Sequence, residues 1–577
     1  MKKTLLTLGL ALCGAGLAVA QSTIYEGVCF SSVSPNGNWL GDNMEKAAYI
    51  LDRSTGNEWY FVDDTAYVGS YFIGYGHSAT NEGMFVGAVQ EANENASWGT
   101  YADAAYFKNG VWTKLPQLSG RVNGVNSANA VTPDEWRMCG AQGPEGANFG
   151  KDELMLYPAV WTKNANGEYE VQALPYPEKD FTGRAPQYIT AMDISADGKT
   201  IVGQVMDCSG YYCYPILYKQ NESGEWSYQL FATDHVWDAS RLGELPELGE
   251  QPTPPNVDDY LSEADSARYV EAYNYYYECL DKCYSGDMSW DELPPYPSKS
   301  EYISDEEKAA AYNAALDAYN VANNKWYEDF VAFDEKLAEI TTGASFMFNS
   351  VNLSPNGKYA ILDLTTPDPD GDPMSWKPEM LYKNMVFDLA SDSISYTTNS
   401  SDDKLSNNIY NDGMYVVCSP ASDYTRNTYV GFVGQDSVMP VEDFLAAAGD
   451  SAAVSFLNEN CIFDKVDYVW NDSTGMYEEV TIPGVMVTGT GLFSAEGNTY
   501  VSWYQNPTNN AICTMVIDLA QSVSGIESAT AADSEATVIR REYYNLQGQR
   551  IAAPQTGLYL EKTVTNKGVI TKKCLKK

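Results

Sequence analysis

Two histidines, His77 and His235, are all the 577-residue chain offers as side-chain bases near neutral pH. They stand in Gly76-His77-Ser78 and Asp234-His235-Val236, outside any nucleophile-elbow or His-Glu-x-x-His pattern, and both read as loop or surface residues. Serine and cysteine nucleophiles need a positioned base, so triad hydrolysis and zinc proteolysis are disfavoured. Carboxylates are the remaining catalytic route, since a glycosidase needs only one acid and one base or nucleophile at a set distance. With 78 Asp and Glu in the chain, spacing singles out no catalytic pair. One acidic run has ligand character: Asp368, Asp370 and Asp372 alternate with Pro369 and Gly371, which suits a hard, oxygen-seeking cation such as calcium. Glu379 falls at the twelfth position counted from Asp368, but Pro373 and Pro378 work against an EF-hand geometry, and a solvated acidic turn is the competing reading. No glycine-rich loop follows a βα unit, so no nucleotide is implied, and no cofactor other than calcium is expected.

The cysteines add little chemistry. Cys208 and Cys213 flank Ser209-Gly210-Tyr211-Tyr212 in a hairpin loop, close enough to pair. Cys279 and Cys283 are four apart on a predicted helix, a poor disulfide geometry, and read as small semi-buried thiols.

The elements that must carry these residues repeat. Ser34-Pro35-Asn36-Gly37, Ser195-Ala196-Asp197-Gly198, Ser354-Pro355-Asn356-Gly357 and Ser494-Ala495-Glu496-Gly497 each follow an apolar residue and precede a β-prone run such as Thr200-Ile201-Val202-Gly203. That pattern is strand, tight turn, strand. Units align on Gly37, Gly83, Gly198, Gly357, Gly413 and Gly497, and Thr132-Pro133-Asp134-Glu135-Trp136 supplies a seventh copy without glycine. Second halves follow, such as Ala105 to Pro116, Ala159 to Pro175 and Pro215 to Trp226, giving about four strands per unit. The expected fold class is all-β: a seven-bladed β-propeller whose sheets hide their faces on one another, with Trp112, Trp161 and Trp503 between blades. Thr23-Ile24-Tyr25-Glu26 is free to close the last blade.

This layout resembles the HAF-type extracellular repeat, in which an Ile-Ser-Ala-Asp-Gly-like turn leads to Val-Gly and then to a Trp-Thr-like strand. The best copies are 193–203 and 157–163, within a coverage of about 28 to 519. The resemblance bears on the fold more than on function.

Proline-rich Gln251 to Pro255 interrupts the β pattern, and Tyr269, Tyr273, Tyr276 and Leu280 then recur at helical spacing. A second helix, starting at Ser304 with Glu307 as its capping box, carries a stripe from Tyr312 to Ile340. The expectation is a helical hairpin packed stripe to stripe, its tyrosine hydroxyls at the wet edge. Val441 to Gly449 reads as one short helix.

The tail is a separate module. From residue 540 onward nine Lys or Arg face only Glu542 and Glu561, against a formal net charge of −42 for the whole chain. Tyr544-Asn545-Leu546-x-Gly548, Gly557-x-Tyr559 and the terminal Lys572-Lys573 look like the C-terminal sorting domain of the type IX secretion system of Bacteroidetes. That resemblance implies passage across the outer membrane and release or attachment at the surface.

The N-terminus agrees with export. Met1-Lys2-Lys3, an apolar run from Leu5 to Leu17 and Ala18-Val19-Ala20 match a cleaved signal peptide. No later segment reaches the length of a bilayer-spanning apolar helix, so no transmembrane segment is expected. The acidity excludes nucleic acid as a partner. The expected organisation is a signal peptide (1–20), propeller blades (21–256, about four, and 344–521, about three), a helical hairpin (257–343), a linker (522–539) and a sorting-like β module (540–577). The expected role is a secreted or cell-surface, non-enzymatic binding protein for a glycan or a surface protein, with the type IX machinery as a further partner through the tail. The alternative is a carbohydrate-active enzyme using channel carboxylates.

Overall fold

A computed structural model describes residues 22–576 apart from 45–46, 62–65, 68–76, 93–99, 119–125, 144–155, 181–184, 208–211, 232–244, 247, 250, 342–344, 347–350, 368–379, 390–394, 399–404, 420–425, 436, 472–475, 521, 524–525, 529–537, 545–549, 552, 554–556 and 566–567. The expected signal peptide (1–20), Cys208 with its expected bridge, His235 and the run Asp368, Asp370, Asp372 lie outside the described residues, as do Asn545, Leu546 and Gly548.

The protein is a seven-bladed propeller. Among the described residues seven antiparallel sheets follow one another along the chain, six of four strands and one of five. Blade 1 begins with Phe30–Val33, blade 2 contains Phe85–Ala92, blade 3 begins with Ser127–Val131 and blade 4 with Tyr188–Ile194. Blade 5 holds Asn352–Leu353, blade 6 begins with Leu405–Ile409 and blade 7 with Thr490–Phe493. Thr23–Glu26 completes blade 7 from the far end of the chain, pairing antiparallel with Ile512–Asp518 in the register Thr23↔Val516. Arg53 of blade 1 reinforces this junction by bridging to Asp518 at 2.6 Å while donating to the Gly37 carbonyl.

Burial explains the packing. Trp161 is fully buried in a cluster of blade 2 residues (Met84, Val86) and blade 3 residues (Val131, Met138), the interblade place expected of it. Trp112 packs its ring on Phe61 of blade 1 and Phe107 of its own blade.

The repeated phrase is a turn capped by its own side chains. Ser34 Oγ accepts from Trp39 N and donates to Asn36 Oδ1, which also accepts from Asn38 N, and Ser195 with Asp197 and Ser354 with Asn356 repeat the pattern. Each turn also reaches the next blade. Asn36 N donates to Asn81 Oδ1, Thr80 Oγ1 to Glu135 Oε1, Arg137 to Gly198 O, and Ala196 N to Pro355 O. Asn356 N donates to Asn411 Oδ1, Tyr410 OH to Phe493 O, and Glu496 N back to Pro35 O. All seven junctions are thus hydrogen-bonded, through the turns or the residues beside them.

Gly37 shows why glycine recurs in the turn. Its φ is +73°, and a Cβ there would lie 2.0 Å from Thr499 Oγ1 of blade 7. In the copy without glycine, Glu135 adopts the left-handed conformation itself (φ 61°). Its buried carboxylate bonds Thr80 and pairs with Lys108 and, at 3.8 Å, Lys163. Those contacts offset the backbone strain.

Residues 238–343 form a second unit. Helix α1 (Glu263–Ser285) opens with a capping box between Ser262 and Asp265. Helix α2 (Glu306–Thr341) is capped by Asp305, whose Oδ1 accepts from Glu307 N and Lys308 N, and not by Ser304 as expected. The Ser304 hydroxyl instead bonds Asp265, which with the Ser262 and Arg268 contacts holds that carboxyl well below the usual range. The aromatic stripes also differ from the expected direct packing. Tyr269 meets Tyr302, and Tyr273 and Tyr276 meet Tyr296, all from the connector, while Tyr260 of the entering segment covers Tyr312. Cys279 and Cys283 are buried free thiols.

Two features between blades 6 and 7 carry more structure than the one short helix expected. Helices α3 (Val441–Ala447) and α4 (Ser451–Asn460) bury Phe444, Leu445 and Leu457 against Tyr500 and Met515. A two-stranded arm, Ile462–Asn471 with Met476–Met486, follows.

Unfolding in urea tests the turn argument. Gly56 also has positive φ (+74°) but open space around a Cβ. Gly56→Ala is expected to cost about 1 kcal/mol from backbone strain alone, and Gly37→Ala about 3 kcal/mol from strain plus overpacking against blade 7.

Candidate functional site

Counting back from the turn glycine gives two aligned columns of residues, one from each repeat. Six residues before it stand Ser31, His77, Asn129, Met192, Val351, Asn407 and Gly491, and five before it Ser32, Ser78, Ala130, Asp193, Asn352, Asn408 and Leu492, with Glu135 in the glycine's place in the third copy. Register shifts between Phe30/Ser32, Ala128/Ala130, Ala191/Asp193 and Ser406/Asn408 put a bulge at these positions in four blades. A bulge re-aims side chains, and here it gathers polar groups around the innermost strands.

His77 lies in a turn before Phe85–Ala92, as a loop reading expects, but it is not a surface residue. Its side chain is 11% exposed and its Nδ1 lies 2.8 Å from Asp193 Oδ1, so the contact runs from blade 2 to blade 4. Asp193 is 2% exposed and also accepts from Ile194 N and, across the next junction, from Leu353 N at 2.7 Å. Ser32 and Ser78 hydroxyls bond each other between blades 1 and 2, and Asn129 Nδ2 donates to Ala191 O between blades 3 and 4. Burial alone would depress the His77 pKa, but the Asp193 charge and its hydrogen bond outweigh that, and the net shift is upward.

A cavity beside this pair is lined by Val33, Pro35, His77, Pro355, Asn408 and Tyr410 among others. Its volume is about 10 Å³, room for about one water molecule. No carboxylate lines it among the described residues. The inner-strand carboxylate that the structure does place here, Asp193, is committed to His77 and two backbone amides. Among the described residues no three His, Cys, Asp or Glu side chains converge to hold a metal.

The arm is the opposite kind of surface. Phe463 anchors its base on Tyr504 of blade 7, with Val485 and Met486 partly buried. Beyond that root, Val466, Val469, Val480 and Ile482 are 40–53% exposed and Met476 and Tyr477 65–67%. No third strand pairs with it among the described residues. An isolated two-stranded ribbon is marginal in water, and exposed apolar side chains along unpaired edges mark an association surface.

The tail forms a sheet of five strands. Tyr544 ends Val538–Tyr544, Gly557 and Tyr559 lie in Gly557–Thr565, and Lys572 and Lys573 in Gly568–Lys576. Tyr559 is buried on Tyr543, Lys572 stands opposite Glu561, and Lys573 opposite Leu560. Ile526–Ser528, inside the stretch expected to be linker, pairs parallel with Lys573 to Leu575. Its partner is distant in sequence, so no local pattern announced the strand.

No protein-family model matches this sequence, and no curated protein matches it. Among solved structures the chain is similar to hydrazine synthase of Kuenenia stuttgartiensis (11% identity, 88% of this chain and 99% of that one, TM-score 0.35). It is also similar to a puromycin hydrolase (8%, 93% and 58%, TM-score 0.38) and to the β-propeller domain of the Trilobed protease from Pyrococcus furiosus (7%, 79% and 97%, TM-score 0.29). Function therefore has to be argued from this chain's own surfaces.

The His77 pair has a pH signature. A group whose folded pKa is raised adds stability that is complete below its unfolded value, about 6.5, and is lost as pH rises through the folded value. The stability difference between the parent protein and His77→Gln is expected to be larger at pH 5.5 than at pH 9. Equal differences in the urea midpoint at both pH values would refute the charged pair.

Proposed function

We propose that this propeller protein is a non-enzymatic binding scaffold, exported to the bacterial cell surface, that takes a glycan or a surface protein as ligand. One observation carries the reading: an arm of two strands, with no third strand paired to it among the described residues, holds six large apolar side chains at 40% exposure or more. Exposed apolar side chains along unpaired strand edges are the mark of an association surface. No helix among the described residues is long and apolar enough to cross a membrane.

Export rests on the resemblances at the two ends of the chain. The N-terminal 1–20 supplies the signal peptide, and the basic β module supplies the type IX sorting element, which presents Lys572 and Lys573 on its last strand.

Two experiments test these claims. Mature protein is expected to bind within a panel of surface glycans and envelope proteins, and Val469→Asp with Val480→Asp to weaken that binding at least tenfold without changing the melting temperature. Silence across the panel, or turnover of an oligosaccharide by the parent protein, overturns the reading. Removing residues 540–577 is expected to leave the protein in the periplasm, scored by loss of cleavage by protease added to whole cells. Undiminished surface cleavage of the truncated protein would exclude the sorting role.

A further inference from the structure

The unit at 238–343 carries a second recognition feature, built differently from the arm. It holds 24 Asp or Glu against seven Lys or Arg, a net charge of −17. At the C-terminal end of α1, Tyr284 and Trp290 meet edge to face, with centroids 5.2 Å apart and an interplanar angle of 90°. Packing normally hides such a pair, yet Tyr284 is 74% exposed and Trp290 55%. Two perpendicular aromatic walls are left open to water.

The corner rests on a braced loop. Gly286 caps α1 in the left-handed conformation (φ 82°), with its N–H and that of Asp287 bonded to the last-turn carbonyls of Cys283 and Lys282. Ser289 N bonds the Glu292 side chain, Leu293 N bonds Trp290 O, and the buried Cys283 Sγ donates to Ser289 O. The corner is therefore set before any ligand arrives.

Its electrostatics favour a cation from three directions. Asp281 lies one helical turn before Tyr284 on the same face, Asp287 sits in the loop, and Asp291 and Glu292 follow Trp290, all exposed. The negative end of the helix dipole points at the same place. The one cation in the last turn, Lys282, is held by Glu278 at 2.6 Å. The same unit already seats a lysine in this manner: Lys299 Nζ lies 5.6 Å from the Tyr269 ring centroid and 2.5 Å from Asp258 Oδ1.

We infer that Tyr284 and Trp290, with their acidic rim, receive a Lys or Arg side chain of a basic, extended polypeptide segment on a partner protein. The ring faces attract the cation and the carboxylates pair with it. A neutral glycan would use the rings but gain nothing from the surrounding charge. The inference rests on the binding reading above and narrows the ligand to a basic protein segment, and the two fail separately: a silent glycan and envelope panel leaves this seat testable with a defined peptide, and a silent peptide leaves the arm untouched.

The test titrates full-length mature protein with an arginine-rich octapeptide, a glutamate-rich octapeptide and a neutral hexasaccharide, read by calorimetry. Saturable binding of the arginine peptide alone is expected, weakened about tenfold by Tyr284→Leu with Trp290→Leu, which keeps the charge and the fold of an exposed corner. Asp287→Asn with Asp291→Asn is expected to weaken it further at low salt. Unchanged affinity in the leucine variant would reduce the interaction to general electrostatics and overturn the seat. Binding of the hexasaccharide without the peptide would overturn it in favour of a glycan.

Discussion

A circle of hydrogen bonds between neighbouring blades holds the propeller's repeats in one phase. Each turn, or a residue beside it, donates into the next blade, from Asn36 to Asn81 and onward until Glu496 returns to Pro35. The apolar contacts between blades are larger in area but non-directional, and sheets can slide on them. A turn whose own serine and Asx side chains fix its shape presents its amide to the next blade, as at Asn36 and Asn356, while Thr80, Arg137 and Tyr410 make the junction with side chains. Beside these junctions Asp193 of blade 4 accepts from Leu353 of blade 5 and also reaches His77 of blade 2.

Closure by Thr23–Glu26 converts the circle into a clamp. Blade 7 takes three strands from residues 490–518 and its fourth from the start of the chain, so no blade can separate without breaking a ladder or a junction. Arg53 sits across that seam, bonding Gly37 O and Asp518 together. Helices α3 and α4 fill the space beside blade 7 with Phe444 and Leu457, and the arm grows from that filled base.

Much of this was legible in the chain. The Ser-x-Asx-Gly phrase announced the turns because side-chain capping and positive φ demand those residue types, and the period announced blades. Thr23–Glu26 stands before the first unit and so was free to close the last blade, which its pairing with Ile512–Asp518 does. Glu135 shows why a degenerate copy still counts: its left-handed backbone is held by Thr80 and by two lysines, Lys108 and Lys163, which no local motif encodes. The burial of His77 was not legible because its partner, Asp193, lies 116 residues away in sequence. Ser304 has the right type for a cap, and tertiary contact with Asp265 took it elsewhere. The arm gave no clear signal because its apolar residues are interleaved with charges and pack on nothing beyond its root.

The pairing Thr23↔Val516 sets the timing of folding. The segment that locks the last blade is synthesised first, and its partner emerges almost five hundred residues later. During synthesis the early blades can form in order, but the ring stays open and the edges of Thr23–Glu26 and Ile512–Asp518 stay bare until nearly the whole chain has been made. Such a high contact order makes closure the slow step, and the open ring is the species most exposed to wrong pairing.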